Sequence, residues 1–219
     1  MYRNFAYFFV ELLQSWRLNK EFFQKNFTIH NWEIMENAFK EDKGVILVTG
    51  HLANVEWGGA YVSCCLSPVK AIMKPIHNHY LNDLVIDIRK KMHYEVIFTG
   101  IAYKAGLKAL REKAILGVIA DQDARKHGVF VDFFNKPAST AKGAAILHLK
   151  TGAPIIVGIA VRRSWGKFDI YCERISAEDN ILSITQAHTK LLEKWIRKNP
   201  GQYLWTHKRW KTKPDAHSK

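Results

Sequence analysis

The stretch that decides the fold is residues 44–59, GVILVTGHLANVEWGG. Its apolar run at 44–49 predicts a short buried strand, which ends at Gly50 and is followed directly by His51. Similar runs predict strands at 69–74, 94–98, 114–120, 154–163 and 167–175, separated by predicted helices at 31–43, 57–62, 81–92, 103–112 and 138–152. This alternation indicates one α/β domain over residues 1–219, with a central, largely parallel sheet flanked by helices, in which the late strands are candidates for antiparallel pairing.

The two ends of the chain have their own patterns. We expect an amphipathic N-terminal helix within residues 1–25 and a flexible tail over residues 211–219. The usual partner of such an apolar stripe is the protein core, and the alternatives are a membrane interface or a cover over an acyl pocket. The stripe consists of Phe5, Phe8, Phe9, Leu12, Leu13 and Trp16.

Composition restricts the partners. The net charge of +13 and the pI near 9.6 favour an anionic partner, which can be nucleic acid, an acidic protein or an anionic membrane. No apolar run reaches the roughly 18 residues of a spanning helix, and no signal peptide is recognisable, so we expect the chain as given not to span a membrane. The three cysteines, of which Cys64 and Cys65 are adjacent, indicate a reducing, cytosolic environment.

His51 and Glu56 are the first candidates for chemistry. Five positions on a regular helix would turn their side chains about 140° apart, so convergence requires His51 to lie in the turn, which Gly50 permits. A carboxylate on one imidazole nitrogen leaves the other nitrogen basic, as deprotonation of an alcohol requires. Without further context, a surface histidine beside a helix-capping glutamate is the simpler explanation of the pair.

Three longer motifs supply that context. Residues 44–59 resemble the H-x4-D/E block of membrane glycerolipid acyltransferases, and Asn54 and Glu56 match the H-x-G-N-W-E form of bacterial lipid A late acyltransferases, the lauroyl and myristoyl transferases, from which Ala53 and Val55 depart. Residues 120–163 resemble the family's later D-Q and G-V-F-V-P-F-F-G block, with Asp132 for Pro and Asn135 for Gly. Residues 202–214, QYLWTHKRWKTKP, are similar to its closing signature, so the resemblance covers residues 31–214 in order.

The resemblance implies a glycerolipid-acyltransferase-like fold and assigns roles. His51 would be the general base for the acceptor hydroxyl, oriented by Glu56, with Arg89 near this dyad. The alternative interpretation of Arg89 is an exposed arginine on a helix, and that of Asp121 or Asp123 is an ordinary aspartate at the end of a strand. The remaining positions that match the motifs, as supporting or substrate-binding residues, are Asn54, Lys74, Asp121 and Asp123.

Two further groups are predicted to contact substrate. Ser139, Thr140 and Lys142, at the expected start of a helix, could present free N–H groups and a cation to a phosphate, although a plain N-cap explains them as well. Phe130, Phe133 and Phe134 could line an acyl-chain pocket, the alternative being ordinary core packing. We expect no cofactor and no metal, because His77 and His79 lack a third ligand and no cofactor motif occurs.

The predicted function is transfer of a fatty acyl group from acyl carrier protein to a hydroxyl of a lipid A precursor, at the cytoplasmic face of the bacterial inner membrane. The predicted partners are an acyl carrier protein or acyl-CoA donor, a glycolipid acceptor and an anionic membrane surface. Family members usually begin with a hydrophobic anchor before the matching region, so we expect a shortened or peripheral member.

Three alternatives remain open. The first is acyl-CoA-dependent acylation of another glycolipid, such as a phosphatidylinositol mannoside. The second is a family member that has lost activity through the departures at Ala53, Val55 and Asn135. The third is a basic nucleic-acid-binding module, which we do not favour and which would use interleaved aromatic and cationic residues near the C-terminus. Those residues are Trp205, His207, Lys208, Arg209, Trp210 and Lys211.

Overall fold

A seven-stranded mixed sheet forms the centre of the protein. The structure is a computed structural model that describes residues 2–176 and 179–214. The sheet has the order β1-β9-β8-β2-β5-β3-β4, in which β9 runs antiparallel to β8 and every other neighbouring pair is parallel. Its strands are β1 (Phe27–His30), β2 (Val45–Thr49), β3 (Val69–Met73), β4 (Glu95–Phe98), β5 (Ile115–Ile119), β8 (Ile155–Ser164) and β9 (Lys167–Arg174), and β6 (Val129–Asp132) with β7 (Pro137–Thr140) forms a separate antiparallel hairpin.

Helices cover both faces of the sheet, as alternating side chains of β2 require. Val45 and Leu47 face one layer, which contains α2 (Lys20–Asn26), α3 (Trp32–Lys40), α4 (Val55–Cys65) and α5 (His79–Lys91). Ile46 and Val48 face the other, which contains α6 (Ala102–Arg111), α7 (Gly143–Thr151) and α8 (Ile181–Lys198). The predicted α/β fold with a largely parallel sheet is therefore confirmed, including the antiparallel late strand.

Several local predictions were wrong or incomplete. The helix expected within residues 1–25 is interrupted: α1 (Tyr2–Leu13) ends before a 3-10 turn, and α2 follows as a separate helix. Ser139 and Thr140, expected at a helix start, lie in β7 instead, although the same helix does end at Gly152 in the left-handed conformation. The elements that the sequence analysis did not predict are α2, α8, β1, β6 and β7.

The apolar stripe of α1 is mostly exposed, so the expectation that it packs on the core was wrong for most of its members. Trp16 is 74% exposed and Leu13 62%, and Phe5 and Phe9 are about half exposed, whereas Leu12 packs against the core. None of the described helices is long and apolar enough to cross a membrane.

Only the first part of the predicted C-terminal tail can be compared with the structure. Residues 211–214 are described, and there the Thr212 hydroxyl donates to an Asp123 carboxylate oxygen at 2.8 Å. The remaining residues of that prediction, 215–219, lie outside the described part of the chain.

Candidate active site

His51 lies in a turn between β2 and α4, as predicted, and the C-terminal part of the chain holds that turn in place. Leu52 forms an isolated antiparallel bridge with Tyr203. The Leu204 N–H donates to the His51 carbonyl at 3.1 Å, and the Ala53 N–H donates to the Gln202 carbonyl at 2.9 Å. The first and last predicted motifs are therefore hydrogen bonded to each other at the site.

Asp121, at the carboxyl end of β5, is the carboxylate that contacts His51. The His51 Nδ1 and backbone N–H lie 2.7 Å from Asp121 Oδ1 and Oδ2, respectively. This bond places the proton on Nδ1 and leaves Nε2 as the basic nitrogen. A Cβ at Gly50 would lie 3.2 Å from Asp121 Oδ2, so Gly50 serves the close approach of this carboxylate.

The two groups shift each other's titration. Burial alone would lower the pKa of His51, but the hydrogen bond and charge of Asp121, with a smaller contribution from Glu56, raise it above its ordinary value of 6.5. Burial alone would raise the pKa of Asp121, yet the hydrogen bonds and charge of His51 hold it below its usual range. Each group therefore stabilises the charged form of the other.

Glu56 bonds to Arg89 and not to His51. The Arg89 Nε and Nη2 atoms lie 3.1 and 2.6 Å from the two Glu56 carboxylate oxygens, and the Tyr94 hydroxyl donates to the Glu56 carbonyl at 2.8 Å. Our prediction that Glu56 orients His51 is corrected by this geometry, because the Glu56 carboxylate is engaged by the buried guanidinium. Glu56 acts on His51 through its charge alone.

The second acidic candidate, Asp123, has a different neighbourhood. Its backbone N–H donates to His207 Nε2 at 2.8 Å, which requires an unprotonated Nε2. Burial is the main cause that lowers the pKa of His207, in agreement with this arrangement. Asp123 therefore helps to attach the C-terminal segment next to the site, and Asp121 is the acidic partner of His51.

Three small cavities meet at Val55. The catalytic cavity, of about 60 Å³, is lined by His51, Ala53, Val55, Tyr203 and Leu204 from the core and by Asn4, Phe5 and Phe8 from α1. Two cavities beneath α4, of about 40 and 30 Å³, share Leu47, Thr49 and Val55. Val55 therefore lines all three cavities, next to His51.

The residues predicted for an acyl pocket and for a phosphate site do not line the cavities around Val55. Phe133 is buried in the core, Phe134 packs edge-on against Trp205, and neither these two nor Phe130 lines the cavities around Val55. Ser139 and Thr140 are fully buried, and the Arg209 guanidinium bonds the Ser139 carbonyl at 2.5 Å and the Thr140 hydroxyl. Lys142 occupies the N-cap position of α7, and Lys74 is exposed after β3.

Asn54 begins α4 and also contacts α1. Its side-chain oxygen accepts the Trp57 N–H at 3.1 Å, and its amide donates to Glu11 Oε2 at 2.8 Å. Glu11, fully buried, also accepts the Arg162 Nε at 2.9 Å, and its carbonyl accepts the Trp57 indole N–H at 3.1 Å. Asn54 is therefore a structural link between the N-terminal helix and the catalytic turn.

Comparison with known proteins decides the family. The family described as bacterial lipid A biosynthesis acyltransferase matches residues 1–212. The chain belongs to this family. It is 27% identical over 225 residues to the lipid A biosynthesis palmitoleoyltransferase of Escherichia coli, covering 99% of this chain and 72% of that protein.

More distant relatives match a shorter part of the chain. The lipid A biosynthesis lauroyltransferase of Escherichia coli is 25% identical over 190 residues, covering 84% of this chain and 61% of that protein. A phosphatidylinositol mannoside acyltransferase of Mycobacterium tuberculosis is 23% identical over 182 residues, covering 80% of this chain and 57% of that protein. The chain is therefore an acyltransferase, which acts with an acyl donor and a lipid acceptor.

The departures from the motifs of the lipid A acyltransferase family have local structural explanations. Ala53 and Asn135, which stand in positions of glycine, have φ of 49° and 58°, in the left-handed region that glycine adopts freely. Asp132, in a position of proline, donates its backbone N–H to Gln186 Oε1 at 2.7 Å, a bond that proline cannot make. Val55 replaces tryptophan where the three cavities meet.

Sequence reasoning missed several residues of the site of this acyltransferase. Tyr203 and Gln202 lie in the quoted closing motif, but nothing local indicated that they hold the His51 turn. Glu11 lies on α1, for which the sequence analysis predicted a role only for the apolar stripe. The sequence signal for Glu11 was an acidic residue next to the predicted apolar stripe, between Phe8 and Leu12 in the sequence.

Proposed function

We propose that the protein transfers a fatty acyl group from acyl carrier protein to a hydroxyl of a lipid A precursor, with His51 as general base and Asp121 as its orienting partner. The hydrogen bond between His51 Nδ1 and Asp121 carries this proposal, because it leaves Nε2 free to take a proton at the cavity that His51 lines.

The reaction needs one proton transfer in each direction. Nε2 of His51 takes the proton of the acceptor hydroxyl as its oxygen attacks the thioester carbon, and the resulting imidazolium is stabilised by Asp121 and by the charge of Glu56. Collapse of the tetrahedral intermediate breaks the carbon–sulfur bond, and the departing thiolate takes the proton from His51. The N-terminus of α4, where Val55 and Glu56 occupy the first turn, would stabilise the oxyanion.

The acyl chain would occupy the apolar space at Val55. Of the two cavities beneath α4, the one of about 30 Å³ is lined almost entirely by apolar residues, and the one of about 40 Å³ also has the Glu56–Arg89 pair in its wall. Val55 lines both of them and the catalytic cavity. In these cavities the thioester carbon would stay near His51 while the hydrocarbon leaves water. We therefore assign the acyl site to this region and not to the three phenylalanines of the predicted pocket.

The surface of the protein fits an acidic donor and an anionic membrane. A net charge of +13 favours the docking of acidic acyl carrier protein and the attraction of anionic lipid headgroups. Phe5, Phe9, Leu13 and Trp16 on α1 and the following turn expose apolar surface that a bilayer would cover. We place the protein at the cytoplasmic face of the inner membrane, where both substrates would be available.

One alternative function retains support. Acylation of a phosphatidylinositol mannoside from acyl-CoA would use the same His51 chemistry, and relatives named phosphatidylinositol mannoside acyltransferase match this chain. The nucleic-acid alternative loses part of its support, because Arg209 is buried against β7 and Trp210 is partly buried by stacking on Phe133.

The test is an acyl-transfer assay. Purified protein is incubated with acyl-loaded carrier protein and a lipid A precursor, and the acceptor mass is followed. We expect one added acyl group with the wild type and with the control His77→Ala, and a loss of about 10²-fold to 10⁴-fold with His51→Ala. Product only with acyl-CoA and a mannoside lipid would favour the alternative, and unchanged transfer by His51→Ala would reject the assigned base.

A further inference from the structure

A polar groove lies beside the catalytic cavity. It has a volume of about 490 Å³, within the range of small-molecule sites, and its walls come from the start of α1, the end of β8 and the segment before Tyr203. The residues that matter for its chemistry are Arg3, Asn4, Tyr7, Arg163, Trp165 and Gln202. The proposed mechanism uses none of them.

The groove and the catalytic cavity share a wall. Asn4 lines both, and its side-chain amide donates to the Gln202 carbonyl at 2.9 Å. The same carbonyl accepts the N–H of Ala53, two residues after the catalytic histidine. A molecule held in the groove would therefore lie directly beside the turn that carries His51.

The charge of the groove favours an anion. Arg3 makes no ion pair with any residue that the structure describes, and Arg163 contacts Asp169 through its Nε at 3.3 Å while its side chain stays 46% exposed. Arg162 is buried and paired with Glu11, so it is already engaged. Two guanidinium groups, Arg3 and Arg163, remain to bind phosphate oxygens through charge-assisted hydrogen bonds.

The groove also has an aromatic wall. The rings of Tyr7 and Trp165 pack edge to face with centroids 4.9 Å apart, and Trp165 is 44% exposed. An exposed indole presents an apolar face beside polar groups, which suits the C–H face of a sugar ring better than a bare ion.

We propose that this groove binds the phosphorylated sugar of the acceptor lipid, an inference that rests on the proposed function. The acceptor fits better than the donor because α1 supplies Arg3 and Tyr7 to the groove while exposing Phe5 and Phe9 on its surface. A lipid whose acyl chains stay in the bilayer beside α1 would present its sugar phosphate at this level and its hydroxyl toward His51.

The binding test needs no catalysis. Calorimetry measures the binding of water-soluble glucosamine phosphate and of inorganic phosphate to the wild type, to Arg3→Gln/Arg163→Gln and to the control Arg17→Gln. Arg17 lines a neighbouring groove that shares Trp165, so its replacement removes one positive charge from the same region, against two in the double variant. We expect the double variant to bind the sugar phosphate about 10-fold to 100-fold more weakly, the control to match the wild type, and inorganic phosphate to bind more weakly than the sugar phosphate.

The kinetic test identifies the substrate. In the double variant, KM for a phosphorylated acceptor should rise about 10-fold to 100-fold while kcat changes little. Its KM for the dephosphorylated acceptor and its KM for the acyl donor should both match those of the wild type. A higher KM for the donor would assign the groove to the donor and overturn the proposal, as would equal KM changes for both acceptors. If the wild type transfers no acyl group, but it binds the sugar phosphate and the double variant binds it more weakly, the proposed function fails while the anion site stands. If the wild type binds no sugar phosphate, the groove proposal fails whatever the transfer assay gives.

Discussion

Asp121 and Glu56 both carry negative charge near His51, but only Asp121 shares a hydrogen bond with its ring. The sequence analysis chose Glu56, by spacing and by resemblance, and gave Asp121 and Asp123 only a supporting role. Glu56 lies in the first turn of α4, and Asp121 and Asp123 follow β5. Only the pairing of β5 with β2 brings Asp121 to the His51 turn. The resemblance placed Arg89 near Glu56, but no local pattern indicated that its guanidinium would bind the Glu56 carboxylate in place of His51.

The titration of His51 predicts the pH dependence of the reaction. A general base must be neutral, and the pKa of His51 is raised above 6.5, so kcat/KM should increase with pH through an apparent pKa above that value. Asp121→Asn removes the charge and leaves only a neutral amide oxygen as acceptor, so the apparent pKa should fall and kcat should drop about 10²-fold to 10⁴-fold. Glu56→Gln removes only the smaller charge contribution. A larger downward shift with Glu56→Gln than with Asp121→Asn would restore the His51/Glu56 dyad.

The same pair makes stability depend on pH. Because the folded-state pKa of His51 is raised, its contribution is present at low pH and is lost as pH rises through that pKa. Because the pKa of Asp121 is lowered, its contribution is present above the ordinary aspartate pKa and is lost as pH falls through the folded value. The joint contribution is therefore largest between the two titrations.

Ala53 predicts a simple stability change. An alanine at φ 49° is strained by roughly 1–2 kcal/mol relative to ordinary backbone, whereas glycine is not. After the entropy cost of glycine, Ala53→Gly should raise the free energy of unfolding by up to about 1 kcal/mol, a rise of about 2–4 °C in Tm. Ala60→Gly, within α4, is the control and should lower Tm. A lower Tm for Ala53→Gly would show that its buried methyl group outweighs the strain.

Val55 predicts the length of the transferred chain. Val55→Trp would fill the space where the three cavities meet, so the preference should move to shorter acyl chains, measured as kcat/KM over a series of donors. The control is Leu149→Trp, because Leu149 is exposed on α7 and a larger side chain there should leave the chain-length preference unchanged. An unchanged chain-length profile for Val55→Trp would place the acyl chain elsewhere.

At the scale of elements, local periodicity explains what was predictable. The strands of the central sheet are short apolar runs, and most of their connecting helices are separated from them by clear turn residues. Helix α8 was not predicted because Thr185, His188 and Thr189 interrupt its buried face with polar side chains. The sequence of β7 is short and partly polar, so it does not predict a buried strand. The bond from Arg209 to the Ser139 carbonyl comes from a residue 70 positions later, and local sequence cannot predict it.

The attachment of α1 is the element-scale prediction. Arg162 and Glu11 form a fully buried ion pair, and Arg162→Met would leave a buried carboxylate without its cation, at a cost of about 3–5 kcal/mol in the free energy of unfolding. The double variant Glu11→Leu/Arg162→Met should recover most of that loss, because both charges are gone. Urea denaturation measures both. The control Asp42→Asn breaks an exposed pair with Lys113 and should cost less than about 1 kcal/mol. A loss for Arg162→Met no larger than the control's would show that the pair does not hold α1.

At the scale of the whole molecule, an exposed apolar face and a net charge of +13 act together. We expect binding to vesicles that contain anionic phospholipid, and weaker binding as salt is added. Leu13→Ser should reduce partitioning several-fold, since it removes exposed apolar area from α1. Leu149→Ser, on the opposite side of the sheet, is the matched control in a co-sedimentation assay. Equal effects of the two substitutions would argue against α1 as the membrane-facing element.

The pairing of residues 51–53 with residues 202–204 also bears on how the enzyme is made. During synthesis, β2 and the His51 turn leave the ribosome long before the segment that fixes them. The nascent chain can build much of its sheet while the turn is still without the bridge from Leu52 to Tyr203. Catalytic competence should therefore arise late in translation, and ribosome-stalled chains that expose residues only up to about 195 should be folded in part yet unable to transfer an acyl group.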